Sequence, residues 1–258
     1  MRFSQDKKNL TVERKSEGNG TRVVFFSDLH AGPWFKNKDL ERVAARIKSL
    51  KPELILFGGD LVTEESAIES VEFKDELVRF FKTLMESAPV VAVFGNHDVE
   101  NPDNDSLTKT IYREAGIDLL RNDVWDPTTN YSNASNVEST SPFDFSVYGT
   151  EEGFWGQATA PAKDFSGIMV CHQPDLVPSL IKESGAILSL SGHTHRGQVT
   201  FAGIPIVKVP LGKRYTYGHY VFNQGQALLV SGGVGMVHLP FRFWAPPEVL
   251  LLTVESGE

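Results

Sequence analysis

The chain has 258 residues and a mass of 28.6 kDa, which is long enough for one domain with a large core. Its 25 Lys and Arg stand against 33 Asp and Glu, and the net charge of -8 argues against a broad electrostatic grip on nucleic acid or on an anionic membrane. No stretch approaches the roughly 18 apolar residues of a membrane-spanning helix, and the N-terminus shows no apolar signal-peptide core. We therefore expect a single domain over residues 1–258.

The only cysteine, Cys171, excludes an intramolecular disulfide and is typical of a reducing compartment. It ends the apolar run GIMVC, where a small buried side chain is expected. The expected localisation is the cytoplasm, with peripheral contact to a membrane left open.

The first half of the chain alternates strand and helix patterns. Residues 21–30, TRVVFFSDLH, form an apolar run that ends in polar residues, which predicts a buried strand. The elements predicted after it are a helix over 37–53, a strand over 53–60, a helix over 66–87 and a strand over 89–98. This alternation predicts a mostly parallel sheet, which binds ligands at the carboxyl ends of its strands.

The second half has a different pattern. Residues 126–144 are rich in Ser, Thr, Asn and Pro, which predicts a surface excursion rather than a domain linker. Several short β-type runs separated by turns follow and predict a second sheet. The expected fold class is therefore α/β, with two stacked sheets and helices outside them.

Metal-type ligands stand at the ends of the apolar runs. They are Asp28, His30, Asp60, Asn96, His97, Asp98, His172, His193 and His195. A lone buried histidine is more often a hydrogen-bonded core residue, and an Asp after Gly-Gly more often belongs to a turn. Five such clusters together instead indicate a metal site, and its oxygen and imidazole donors suit Mn, Fe or Zn.

Five motifs carry a family resemblance. They are DLH at 28–30, GGD at 58–60, GNHD at 95–98, CHQPD at 171–175 and GHTH at 192–195, and they resemble the signature blocks of the calcineurin-like metallophosphoesterases in the same order. Residues 191–199, 215–235 and 239–255 are similar to the bacterial branch of phosphodiesterases called YkuE-like or YaeI-like. The resemblance implies a four-layer α/β/β/α sandwich and metal-dependent hydrolysis of a phosphate ester.

The resemblance also implies the site residues. The first metal ion is expected on Asp28, His30 and His195 and the second on Asn96, His172 and His193, with Asp60 bridging both. The two ions would share a hydroxide that attacks phosphorus in line with the leaving group of a phosphodiester. His97 is the expected general acid, with Asp98 orienting its imidazole; a structural role for His97 is the alternative.

Two residues of the GHTH segment have further predicted roles. Gly192 is expected to give the turn enough backbone freedom for His193 and His195 to reach different ions. Arg196 is a candidate substrate-binding residue that could bind a second phosphate or another anion. The alternative is a surface arginine paired with a nearby acid.

Alternatives remain for function and for the other motifs. A pyrophosphohydrolase of a nucleotide- or lipid-linked substrate is the second enzyme hypothesis, and a non-catalytic scaffold or regulatory module on the same fold is the non-enzyme one. The expected partner is a small-molecule or lipid-linked phosphate ester, because the acidic balance and the lack of a basic stripe argue against a nuclease.

The aromatic stretches 31–35 and 241–244 could form a wall over the site, a lipid-facing patch or, most commonly, buried packing. His219 and His238 are expected not to bind metal, with His238 near the pocket.

Overall fold

The structure is a computed structural model. It describes residues 4–6, 9–12, 20–63, 66, 70–129, 143–182, 184–222 and 225–254, with only the backbone for 4–6 and 9–12.

The first sheet has seven strands. They are β1 (Ser4–Asp6), β2 (Asn9–Val12), β3 (Thr21–Phe26), β4 (Leu54–Phe57), β5 (Val90–Ala92), β6 (Asp118–Leu119) and β15 (Leu250–Val254). Their order in space is β1-β2-β15-β3-β4-β5-β6. Strands β3 to β6 run parallel, as the alternation of strands and helices predicts, and β15 lies antiparallel to β3.

The second sheet has six strands. They are β7 (Asp123–Trp125), β8 (Ser146–Gly149), β9 (Gly167–Val170), β10 (Ala186–Ser191), β13 (Gly218–Val221) and β14 (Ala227–Val230), in the order β13-β14-β10-β9-β8-β7. The four central strands are parallel and the two edge strands antiparallel. A separate hairpin joins β11 (Thr200–Phe201) to β12 (Ile204–Pro205).

The helices are α1 (Asn37–Ser49), α2 (Val71–Met85), α3 (Asn96–Val99), α4 (Pro102–Ala115) and α5 (Val177–Ile181). Helix α2 begins later than predicted because the Ser70 side chain caps it, accepting a hydrogen bond from the amide of Phe73. Helix α4 was not predicted, although its ends carry the usual signals. Asn101 caps its start, and Gly116 ends it with a left-handed φ of 81°.

Alternating side chains divide the core into layers. On β3, Val24 and Phe26 pack towards α1, α2 and α4, whereas Val23 and Phe25 pack between the two sheets. On the second sheet, Met169 and Cys171 pack against α5. The four-layer α/β/β/α sandwich is therefore confirmed, and so is the burial of Cys171. Each fully buried Phe or Val stabilises the fold by about 1.5–3 kcal/mol.

Most of the predicted 126–144 excursion lies outside the described residues, which omit 130–142. Its end returns to the core, where the ring of Phe143 lies 5.7 Å from that of Trp125. Within the described part of the chain, no helix combines the length and apolar character needed to cross a membrane.

Candidate metal centre

The first sheet brings three of the predicted ligands to one edge. Asp28 and His30 follow β3 and Asp60 follows β4, so all three leave the carboxyl ends of neighbouring parallel strands. Their φ angles of 57°, 45° and 57° are left-handed, a conformation that costs free energy in non-glycine residues. Backbone hydrogen bonds hold it, because the amide of Asp28 donates to Gly59 at 2.9 Å and that of His30 donates to Asp60 at 3.1 Å.

The second sheet supplies three buried histidines. His172 lies two residues beyond β9, and His193 and His195 lie in the turn after β10. The amide of His193 donates to Asp28 Oδ1 at 2.8 Å, and this bond joins residues 165 positions apart in the chain. The carboxyl ends of the two sheets therefore form one cluster.

Gly192 is required for space, and the prediction that it supplies backbone freedom is wrong. A Cβ atom at this position would collide with the side chains of Asp28 and Ser27 across the junction of the sheets. The residues of this turn that adopt a left-handed backbone include the two histidines, with φ of 71° at His193 and 49° at His195.

Asp60 lies between two groups of donor atoms. One group is Asp28, His30, Asp60 and His195, and the other is Asp60, His172 and His193. Within each group the candidate ligand atoms lie within 4.8 Å of one another. Asp60 Oδ2 is 3.5 Å from His30 Nε2 and 3.2 Å from His172 Nε2. A carboxylate shared by two donor groups is suited to bridging two cations.

Asn96, the predicted amide ligand, is the first residue of α3. Its Oδ1 atom is buried and has no hydrogen-bond partner among the described residues. Leaving such an atom unsatisfied costs about 1–3 kcal/mol. The next amide, that of His97, donates to Asp60 Oδ1 at 2.9 Å and so fixes the start of α3 against the cluster. A cation next to Asp60 would satisfy the Asn96 oxygen.

The protonation states of His30, His195 and Asp28 fit a cation. Burial lowers the pKa of His30 to about 3 and that of His195 well below its usual value, so both imidazoles are neutral at neutral pH. Their Nε2 atoms lie only 2.9 Å apart. Burial also raises the pKa of Asp28 to about 6. Neutral imidazoles and a desolvated carboxylate are both stabilised by a divalent cation.

His172 and Asp60 form a buried ion pair when no cation is bound. Burial opposes both charges, but the Asp60 carboxylate raises the pKa of His172 to about 10 and the imidazolium holds the pKa of Asp60 well below its usual value. His172 Nδ1 lies 2.7 Å from the carbonyl oxygen of Gly58, which orients Nε2 towards Asp60. A cation at Nε2 would take the place of the proton, because a ligating imidazole is neutral.

The two histidines of the turn are oriented from outside the cluster. His193 Nε2 is 2.7 Å from the carbonyl oxygen of Pro210. The Arg242 guanidinium donates to His195 Nδ1 at 3.0 Å and to the carbonyl oxygen of Gly232 at 2.7 Å. Sequence reasoning missed Arg242, since nothing in the stretch 241–244 links it to the GHTH motif.

His97 lies beside the cluster with its side chain 16% exposed. Its ring centroid is 5.1 Å from that of His30, and its Nδ1 atom is 2.8 Å from Glu100 Oε2. Burial disfavours the imidazolium, but the carboxylates of Asp60 and Glu100 outweigh burial and raise the pKa of His97. The imidazole is thereby held in the protonated form at a higher pH than usual.

The predicted contact between Asp98 and the His97 imidazole is wrong. Asp98 is buried, and its carboxylate accepts hydrogen bonds from the amides of Asp60 and Gly95, both at 2.9 Å. It therefore ties the loop after β4 to the loop after β5. Adjacent residues of a helical turn point in different directions, whereas residues three apart share a face. Glu100 consequently contacts His97, and this spacing was the signal that could have identified it.

Arg196 stacks on an aromatic ring. Its guanidinium carbon lies 4.1 Å from the centroid of Tyr217, whose hydroxyl donates to Glu248 at 2.9 Å. The Arg196 Nε atom is buried and has no hydrogen-bond partner among the described residues. Binding of a substrate anion by Arg196 stays a prediction.

The remaining histidines lie outside the two donor groups of the described chain. His238 is near the site, as predicted, with its ring centroid 6.4 Å from that of His97. His219 lies on β13. The expectation of buried packing for the aromatic stretches fails for most of their members. Phe35 is buried, but Trp34 and the aromatic residues of 241–244 are about half exposed.

The chain is similar in sequence to known phosphoesterases, which agrees with the geometry of the centre. The model of the calcineurin-like phosphoesterase family matches residues 21–197. The chain is 29% identical over 240 residues to the uncharacterized metallophosphoesterase YkuE of Bacillus subtilis, covering 92% of this chain and 80% of the relative. It is also 29% identical over 240 residues to the phosphodiesterase YaeI of Escherichia coli, covering 90% and 81%. A solved dimetal phosphatase from Danio rerio aligns with 91% of this chain and 99% of its own, at 10% identity and a TM-score of 0.48.

Proposed function

Because the chain belongs to the calcineurin-like phosphoesterase family, we propose that it is a dinuclear metal-dependent phosphodiesterase. The observation that carries the proposal is the position of Asp60, shared by two groups of buried donor atoms. The similarity to a relative named as a phosphodiesterase supports a diester as the substrate.

Seven residues would hold the cations. They are Asp28, His30 and His195 for one ion, Asn96, His172 and His193 for the other, and Asp60 for both. When bound, such ions supply Lewis acidity to the phosphate oxygens and lower the pKa of water. The chain contributes a donor set without thiolates, fixed by backbone hydrogen bonds at Asp28 and His193.

His97 is the proposed proton donor to the leaving oxygen. The Glu100 carboxylate at 2.8 Å holds one side of the ring and, with Asp60, raises the pKa of His97. The partly exposed imidazolium keeps Nε2 clear of the Glu100 contact, so it can deliver a proton to an alkoxide or phenoxide as the bond to phosphorus breaks. Asp98 acts as a positioning residue, because its contacts are with backbone amides.

The test is hydrolysis of bis(p-nitrophenyl) phosphate and of p-nitrophenyl phosphate by the purified 258-residue chain with added Mn²⁺. The diester should be turned over and the monoester more slowly. Chelation should abolish both rates, and Mn²⁺ should restore them. A preferred monoester would contradict the diester assignment. Bound metal without turnover of either ester would favour the non-catalytic module.

Arg196 supports a second candidate, hydrolysis of a pyrophosphate in a nucleotide- or lipid-linked substrate. It directly follows His195, and its Nε atom, which has no hydrogen-bond partner in the described part of the chain, leaves a donor for another phosphate. The test compares Arg196→Ala with the wild type on a dinucleotide pyrophosphate and on the aryl diester. A loss confined to the pyrophosphate supports this candidate, and equal rates for the two proteins on both substrates refute it.

A further inference from the structure

A set of exposed apolar side chains lies beside the metal centre. Its members, named here the apolar rim, are Phe201, Ile204, Ile206, Val207, Leu239, Phe241, Phe243 and Trp244. Each is between 47% and 69% exposed. Large apolar surfaces of this kind on soluble proteins mark sites of interaction.

The two segments of the apolar rim form one surface. The bridge from Val199 to Phe243 joins the β11–β12 hairpin to the later loop, and the amide of Thr200 donates to the carbonyl of Phe243 at 2.9 Å. The Trp244 ring stacks on Phe201 with centroids 5.7 Å apart and on Phe243 with centroids 5.1 Å apart. The aromatic rings are therefore presented together.

The loop geometry keeps these rings outside the core. The Gln198 side chain donates to the carbonyl of Val237 at 3.0 Å and to that of Leu239 at 3.1 Å, and it accepts from the amide of Val237 at 2.8 Å. Partly buried polar contacts thus fix the base of the apolar rim while its apolar side chains face solvent. Water contact with so many apolar atoms costs free energy that burial against a partner would recover.

Charge around the apolar rim is opposite to that of the whole molecule. Residues 184–247 contain no Asp or Glu, although the chain has 33. The same range contains five cationic residues: Arg196, Lys208, Lys213, Arg214 and Arg242. Three of them, Lys208, Lys213 and Arg214, are exposed in the loop that follows the hairpin. Lys208 Nζ donates to the carbonyl of Lys213 at 3.1 Å.

Asp175 faces the loop of residues 208–214 but binds its backbone rather than its cationic side chains. Asp175 accepts hydrogen bonds from the backbone amides of Lys213, Arg214 and Tyr215, at 2.9 to 3.1 Å. It fixes the loop through its backbone, while the side chains of Lys213 and Arg214 stay exposed. The exposed side chains of the loop and the apolar rim therefore combine aromatic, aliphatic and cationic groups.

We propose that the apolar rim and the loop of residues 208–214 dock on an anionic lipid bilayer. Aromatic and aliphatic side chains insert at the level of the headgroups, and Lys and Arg next to them pair with anionic phosphates. A second copy of the chain fits less well, because a two-fold contact would set the exposed cations Lys208, Lys213 and Arg214 against those of the other copy. This local basic surface would be attracted to an anionic bilayer, although the molecule as a whole has a net charge of -8.

Docking would place the bilayer at the edge of the metal centre. The hairpin begins five residues after His195, and the basic loop contributes the Pro210 carbonyl that contacts His193. This consequence for catalysis rests on the proposed function, whereas docking itself does not.

The experiment is co-sedimentation of the 258-residue chain with vesicles of phosphatidylcholine alone or mixed with phosphatidylglycerol. The wild type should pellet with the mixed vesicles and far less with phosphatidylcholine, and added salt should release it. The apolar variant Phe201→Ser with Trp244→Asn should reduce the apparent affinity about tenfold. The charge variant Lys213→Gln with Arg214→Gln should reduce it about tenfold for the mixed vesicles only.

A matched control is Ile187→Ser with Val221→Ser, which removes exposed apolar side chains at the opposite end of the second sheet. This control should bind as the wild type does. The proposal is overturned if the wild type does not pellet with the mixed vesicles, or if the apolar variant binds as tightly as the control. A wild-type dimer that the apolar variant disperses, without vesicle binding, would overturn it in favour of self-association.

The same preparations are assayed on the water-soluble aryl diester, which separates docking from catalysis. The apolar and charge variants should hydrolyse it within about twofold of the wild-type rate, because the substituted side chains do not contact the donor groups. Vesicle binding without hydrolysis would refute the proposed function alone. Hydrolysis without vesicle binding would refute docking alone.

Discussion

The metal centre is made of polar side chains that the fold buries, whereas the apolar rim next to it is made of apolar side chains that the fold exposes. Both arrangements are unfavourable for the isolated chain. Buried imidazoles and carboxylates lose hydration, and exposed aromatic rings order water. We therefore propose that each region is completed by something from outside the chain. For the first it is cations, and for the second we propose a lipid surface.

The largest effect is expected from Asp60→Asn, which should impair the metal centre without affecting the apolar rim. The amide cannot supply the shared negative charge, so hydrolysis of the aryl diester should fall about a thousandfold or more. Vesicle binding should be unchanged. The exposed acid Asp75 gives the matched control, Asp75→Asn, which should keep full activity. Retention of more than a tenth of the wild-type rate by Asp60→Asn would contradict the role assigned to Asp60.

His97→Ala should lower kcat for the diester about a hundredfold while leaving the metal content intact, because His97 is not a ligand in this account. Metal analysis and steady-state kinetics on one preparation test both parts. His219→Ala, at a half-buried histidine outside the donor groups, serves as control. Loss of metal together with activity in His97→Ala would make it a structural residue of the centre.

Asp98→Asn should lower the free energy of unfolding by about 1–3 kcal/mol, because an amide has one acceptor oxygen where the buried carboxylate has two. Urea denaturation in the presence of a chelator measures this without a metal contribution. Asp103→Asn, at an exposed position on α4, should change it little. Equal stability of Asp98→Asn and the wild type would show that the loops after β4 and β5 hold without it.

A smaller effect is expected from Glu100→Gln. The carboxylate raises the pKa of His97, so its loss lowers that pKa, and the protonated imidazole disappears at a lower pH than in the wild type. The alkaline limb of the kcat profile should therefore move to lower pH, and kcat at mildly alkaline pH should fall about three- to tenfold. The Asp103→Asn control should not move the limb. An unshifted limb in Glu100→Gln would exclude His97 as the titrating acid.

More of the metal centre than of the apolar rim could be predicted from the sequence. Ligand-type residues such as Asp28 and His172 end apolar runs, and the carboxyl ends of parallel strands meet at one edge. Contacts inside a short helical turn were harder to predict. The order Asn96-His97-Asp98 suggested Asp98 as the acid that contacts His97. That prediction was wrong because residues 89–98 were predicted as one strand, whereas α3 begins at Asn96.

The local amino-acid pattern did not predict that the side chains of the apolar rim are exposed. Aromatic stretches such as FRFW are usually buried, and whether they are depends on what packs over them. Here Gln198 and Thr200 fix the loop from below and leave the rings uncovered. The absence of acids over 184–247 was visible in the sequence, but its meaning depended on the fold placing the basic loop next to the hairpin.

Metal content per chain, measured by mass spectrometry on wild type and Asp60→Asn after loading with Mn²⁺ and removal of free ions, tests the central claim most directly. The account predicts about two ions per wild-type chain and fewer than one in Asp60→Asn, because the carboxylate serves both donor groups. Equal metal content in the two proteins, or none in the wild type, would contradict a dinuclear centre organised by Asp60.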